Sequence, residues 1–134
     1  MVQTLNVPTL PEPSGYTHVG IATGSRLVFL AGQVAQDAAG ELVGAGDLAA
    51  QTEQAVINVA ACLEAAGATF HDVAKTTLYV VDWDESKMEA LTAGFERAAQ
   101  RLGGAALAPA TLVSVPVIFR PGYLIEIDSI AVLP

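Results

Sequence analysis

The chain has 134 residues, 52% of them hydrophobic and 15% charged, which suits one domain with a sizeable core and excludes a disordered chain. A net charge of −8, with six Lys and Arg against 14 Asp and Glu, argues against nucleic acid as a partner, because that binding needs basic groups to neutralise phosphates. The single cysteine, Cys62, excludes an intrachain disulfide and a multi-cysteine zinc site.

Residues 1–15 hold Pro8, Pro11 and Pro13 and read as an extended segment along the surface of a single domain spanning 1–134. No charged-then-apolar signal pattern opens the chain and no apolar run approaches membrane-spanning length, so a cytoplasmic protein with no membrane partner is expected. "THVGIA" and "LVFLAG" read as strands joined by a hairpin turn at Gly24–Arg26, with a second turn at Asp37–Gly40, together a β-meander. A helix follows from an N-cap at Asp47 to a stop at Gly67, with Val56, Val59, Ala60 and Leu63 as its buried stripe. Val73–Asp82 reads as a strand rich in β-branched residues. A second amphipathic helix carries Met88, Leu91, Phe95, Ala98 and Leu102 on one side and ends at Gly103–Gly104. The last two strands, "ATLVSVPVIF" and "YLIEIDSIAV", are joined by "RPG". This order predicts an α+β fold, a mixed β-sheet with both helices packed on one face. With only two helices available, the other face is expected to be covered by a second copy of the chain, in keeping with the low charged fraction.

Alternation along the final strand places Glu126 and Asp128 on one side, about 7 Å apart from Cα to Cα. That side is either ordinary solvent-facing surface or, since Leu124, Ile130 and Val132 share it, partly covered. A covered carboxylate loses solvation, its pKa rises, and it becomes a candidate general acid or base. His18 and His71 lie far apart with no third ligand at metal spacing, so no metal is expected. Cys62 reads as a small core residue within a helix. Gly24, Gly32, Gly44 and Gly46 make no phosphate-binding fingerprint, and no cofactor is expected.

Taken together, "AGQ" at Ala31–Gln33, "DLAAQT" at Asp47–Thr52, "LEAAGA" at Leu63–Ala68, "VAKTTLYVVD" and the terminal "IEIDSIAV" resemble the RidA (YjgF, L-PSP) family over about Ser14 to Leu133. The resemblance implies the YjgF-like, chorismate-mutase-like fold. It also implies a homotrimer whose sheets form a central core, with small-molecule clefts between subunits. The family's best-known activity hydrolyses reactive 2-imino or enamino acids to 2-keto acids and ammonia. That chemistry needs a cation for the substrate carboxylate and an acid/base group for the enamine and the attacking water. By resemblance Glu126 takes the acid/base role, Tyr16 in "SGYTH" lines the cleft beside it, and Asp128 has no assigned catalytic role.

The sequence departs from the family at the cation. The family's "PARS"-like motif reads "LAPATLVSV" here, so the arginine position falls at Ala110 or Thr111, depending on gap placement, and neither carries charge. The serine of the family's "SGQ" is Ala31, followed by Gly32, and the asparagine of the second helix is Glu89. Losing a bidentate charge-assisted anchor costs on the order of 2–5 kcal/mol of binding. A neutral or less acidic ligand is therefore expected. Arg120 is the nearest cation in sequence. A tight hairpin at Pro121–Gly122 would place it opposite Tyr123, on the face away from Glu126, leaving only a neighbouring subunit's Arg120 to reach the cleft. The sequence thus predicts an imine or enamine deaminase, or a related lyase or isomerase acting by tautomerisation. The alternatives are a non-catalytic metabolite-binding or chaperone-like trimer and, last, the endoribonuclease and translation-inhibitor role often attached to the family.

Overall fold

A computed structural model describes all 134 residues. In chain order the elements are β1 (Val2–Leu5), β2 (Val19–Ala22), β3 (Arg26–Phe29), β4 (Gln33–Val34), α1 (Leu48–Ala65), β5 (Val73–Val81), α2 (Met88–Leu102), β6 (Ala110–Val115) and β7 (Ile125–Leu133). The main sheet runs β3-β7-β5-β6, with β4 also pairing β7. β7 is antiparallel to β3, β4 and β5, whereas β5 and β6 are parallel. The passages β4–α1–β5 and β5–α2–β6 therefore each join strands of like direction, as the expected α+β layout requires.

Local chemistry explains the helices. The Asp47 carboxylate accepts from the Ala50 amide at 3.0 Å, capping α1, and Gly67 at φ +74° lies just beyond its end. Val56, Val59 and Leu63 from α1 and Leu91 and Ala98 from α2 are buried in one cluster with Leu78, Val80, Ile125 and Ile127 of the sheet. Both helices thus cover the same sheet face. They approach closely because position 94 is glycine: a Cβ there would fall 2.5 Å from Thr52 Cβ and 2.6 Å from the Ala49 carbonyl oxygen. Met88 and Leu102, expected in the buried stripe, are 51% and 40% exposed. As the first and last residues of α2, they project past the turns that pack.

Two expected hairpins are absent. β2 pairs with β1, not β3, so residues 1–15 contain a strand as well as an extended segment. β3 pairs with β7, Arg26 opposite Leu133. Gly24 marks where the chain passes from one sheet to the other: a Cβ there would fall 2.3 Å from the Leu133 carbonyl oxygen, and Ser25 donates its amide to that oxygen at 3.0 Å. A close approach, rather than a hairpin, requires this glycine. β6 and β7 are likewise not partners; each pairs with β5. The turn at "RPG" exists, Tyr123 donating to the Arg120 carbonyl at 3.4 Å, but it opens a loop ahead of β7. The Asp37–Gly40 turn stands as expected, with Gly40 at φ +79° and Asp37 Oδ1 accepting from the Ala39 and Glu41 amides.

Candidate functional site

Glu126 sits near the start of β7, flanked by Val34 of β4 and Tyr79 of β5. Alternation sends Ile125, Ile127, Ser129 and Ala131 into the helix-covered core, where all four are buried. Glu126 and Asp128 therefore project from the helix-free face, and both are half-buried. The same face carries Leu27 and Phe29 of β3, 63% and 70% exposed, opposite Val132 and Ile130. Two carboxylates thus stand among apolar groups that the single chain leaves uncovered.

The Glu126 carboxylate lies against the chain just ahead of β4. A Cβ on Gly32 would come 2.7 Å from its Cδ and 2.9 Å from its Oε2, so only glycine admits it in this position. Ala31 and Gly32 are exposed beside it. Two side-chain amides of α1, Gln51 buried and Asn58 half-buried, fix this geometry. Gln51 donates to the carbonyls of Gly44 and Gly122 at 3.1 and 2.9 Å and accepts from the Leu124 amide at 2.8 Å, setting where β7 begins. Asn58 donates to the carbonyls of Val34 and Gln36 at 3.0 and 2.9 Å, holding the strand that pairs with Glu126. Sequence reasoning missed both, since a polar residue inside a helix carries no mark of its distant partners.

Tyr16, Ala110 and Thr111 form a second group. The Thr17 amide donates to the Ala108 carbonyl at 3.2 Å and Thr17 bridges Pro109, so Tyr16 stands at the start of β6. Its ring meets His18 edge-on with centroids 6.0 Å apart. His18 Nδ1 accepts from the Val7 amide at 2.9 Å, which leaves the ring proton of the neutral form on Nε2. Thr111 lies opposite Thr77, which lies opposite Asp128. Strand spacing puts the Thr111 and Glu126 backbones about 12 Å apart. One chain therefore does not bring the two groups together.

The cations are placed differently from expectation. Arg120 faces Tyr123 across the Pro121–Gly122 turn, but in a loop ahead of β7 instead of between paired strands, and its guanidinium sits 4.7 Å over the Phe119 ring. Lys87, immediately ahead of α2, donates to the carbonyls of Val81 and Asp82 at 3.0 and 2.6 Å. Arg101 forms the one ion pair, with Glu53 at 3.0 Å. Lys75 shares the face of Glu126, because Lys75, Thr77 and Tyr79 alternate opposite Ile130, Asp128 and Glu126. Its Nζ donates to Thr111 Oγ1 at 2.6 Å. Sequence reasoning gave Lys75 no role, although period-two alternation in "VAKTTLYVV" marks its side once the pairing of β5 with β7 is known.

Comparison with known proteins places this geometry. The family model for Endoribonuclease L-PSP matches residues 9–133. The chain belongs to the RidA/YjgF/L-PSP family. A RutC family protein of Synechocystis is 32% identical to this RidA-family chain over 125 residues, 92% of this chain and 91% of that protein. Another, of Pyrococcus horikoshii, is 38% identical over 86 residues, 63% of this chain and 67% of that protein. A crystal structure of a Rid family protein of unknown function from Yersinia pestis superposes with a TM-score of 0.84 at 35% identity, over 98% of each chain. No helix of this RidA-family chain is long and apolar enough to cross a membrane.

Proposed function

We propose that the chain hydrolyses or tautomerises a reactive imine or enamine in a cleft between copies of itself, with Glu126 as acid and base. The carrying observation is the Glu126 carboxylate seated on Gly32, on a sheet face whose exposed Leu27 and Phe29 invite cover. Assembly of three copies through that face would shut water out around Glu126, so that it exchanges protons with substrate instead of solvent. It would also let Tyr16 of one copy approach Glu126 of the next, which one chain alone does not achieve.

In the chemistry proposed, the Glu126 carboxyl protonates the enamine carbon and the C=C–N unit becomes an imine. The resulting carboxylate takes a proton from water as the water oxygen bonds to the imine carbon. Returning that proton to nitrogen lets the tetrahedral adduct expel ammonia, and the adduct's hydroxyl proton passes to the Glu126 carboxylate as the ketone forms. The test is release of 2-keto acid from freshly generated 2-aminoacrylate. Glu126→Gln is expected to lose turnover by about 10²–10⁴-fold while assembling normally, and full activity in that variant would refute the assignment.

The uncharged Ala110 and Thr111 favour a second reading, a metabolite-binding or chaperone-like trimer without turnover. That reading requires thermal stabilisation by a ligand and no product from any imine substrate. An endoribonuclease role, the one in the family's name, suits this chain poorly, because 14 acidic against six basic residues give RNA little to hold.

A further inference from the structure

We propose that Lys75 is the cation of this site and binds a carboxylate of the ligand, which makes the ligand a small monoanion. The inference rests on the reading that the face of Glu126 lines the ligand cleft, and it reverses the expectation of a neutral ligand drawn from Ala110 and Thr111.

Lys75 is singled out by its neighbours. It lies on β5 between two strands. On β7, Asp128 is its diagonal neighbour, at the roughly 7–8 Å typical of such pairs. On β6 its side chain reaches Thr111, the partner of Thr77. The ammonium turns to β6, donating to the neutral hydroxyl of Thr111 at 2.6 Å, and forms no ion pair. One of its three N–H groups is thereby used and its charge stays uncompensated. The remaining cations are engaged or placed elsewhere: Arg26 bonds the Pro134 carbonyl, Lys87 bonds two carbonyls, Arg101 pairs with Glu53, Arg120 lies over Phe119, and Arg97 is exposed on α2.

The surroundings select the anion. Thr111 sets its hydroxyl beside the ammonium, and Thr77, opposite Thr111, shares the same face; hydroxyls are donors suited to carboxylate oxygens. Glu126 and Asp128 share that face, and their field tolerates one added negative charge far better than two. A monocarboxylate therefore fits where a phosphate ester does not. Thr111 acts as a positioning residue, holding the ammonium toward β6 and away from Asp128.

The test compares 2-oxobutyrate with 2-oxobutyramide by calorimetry, two probes of the same shape that differ in one charge. The wild-type chain is expected to prefer the acid by about tenfold or more, the value of a hydrogen bond to a charged group. Lys75→Met should erase the preference and Lys75→Arg preserve it. Thr111→Val should weaken acid binding about threefold without altering the sedimentation coefficient. Equal wild-type affinity for acid and amide overturns the proposal, as does a preference that survives Lys75→Met. It is also overturned if Lys75→Met dissociates the assembly and Lys75→Arg restores it without restoring selectivity, since the charge then serves contact between copies. Acid preference in a chain that turns over no 2-aminoacrylate supports the Lys75 assignment while removing the enzymatic one.

Discussion

A methyl group added at Gly32 should separate the stability of this fold from the working of its site. Gly32→Ala places a Cβ 2.7 Å from the Glu126 Cδ, where ordinary contact begins at 3.4 Å. The carboxylate must therefore retreat by at least 0.7 Å, the gap between those distances. Gly32 has no positive φ, so alanine meets no backbone strain there. The obstacle is the mobile end of a half-buried side chain, so one rotamer change absorbs the clash at about 1 kcal/mol. Catalytic geometry is less forgiving, and a misplacement near 1 Å costs up to about 10²-fold in rate. Urea denaturation followed by circular dichroism should show a drop of about 1 kcal/mol or less, while keto-acid release falls by between about tenfold and a hundredfold. Unchanged turnover in Gly32→Ala would mean that Glu126 does no chemistry at this position. A collapse of stability without a change in turnover would refute the same reasoning from the other side.

Gly94→Ala meets backbone and a buried Thr52 instead of a mobile side chain. It should cost about 1–3 kcal/mol by urea denaturation, and a neutral result would show that the helices can part freely. Phe29→Glu puts a charge at the centre of the proposed contact between copies, so sedimentation velocity should report a shift from trimer toward monomer. An unchanged trimer would move the interface elsewhere. Asp84 opens the short turn before α2, and its hydrogen bonds from the Ser86 side chain and amide hold its carboxyl below the ordinary aspartate value. A carboxyl held down in the fold stabilises it above the unfolded pKa and stops doing so as pH falls through the folded value. Asp84→Ala should therefore weaken the protein at neutral pH and converge with wild type in acid, and a deficit independent of pH would contradict the cause given.

Much of this architecture was legible because its signals are local. Asp47, Gly67 and the Val56–Val59–Leu63 stripe fix α1 within one stretch of chain, and β5 needed only its run of β-branched residues. Strand pairing was not legible, because it is decided by contacts far apart in sequence. Gly24–Ser25–Arg26 looks like a hairpin until the Leu133 carbonyl is placed beside Gly24, and "RPG" suggests a hairpin until β5 is seen to lie between β6 and β7. For the same reason alternation reads off the side of β7 that Glu126 takes, its role coming only by resemblance, whereas Lys75 draws no attention. Its side of the sheet follows from alternation, but its relation to Asp128 and Thr111 depends on which strands flank β5. Gln51 shows the limit of the helical pattern: nothing in its own segment foretells Gly122 and Leu124 as partners.

β7 contacts three of the other four strands in the main sheet, and its far end meets the beginning of β3. Arg26 donates to the Pro134 carbonyl across a separation of 108 residues. During synthesis, β3, β4 and β5 must therefore wait, edges bare, until the strand that lies among them leaves the ribosome. The long wait favours slow, late consolidation of the sheet over stepwise growth. It makes the nascent chain, more than the finished one, the form in need of protection from clumping.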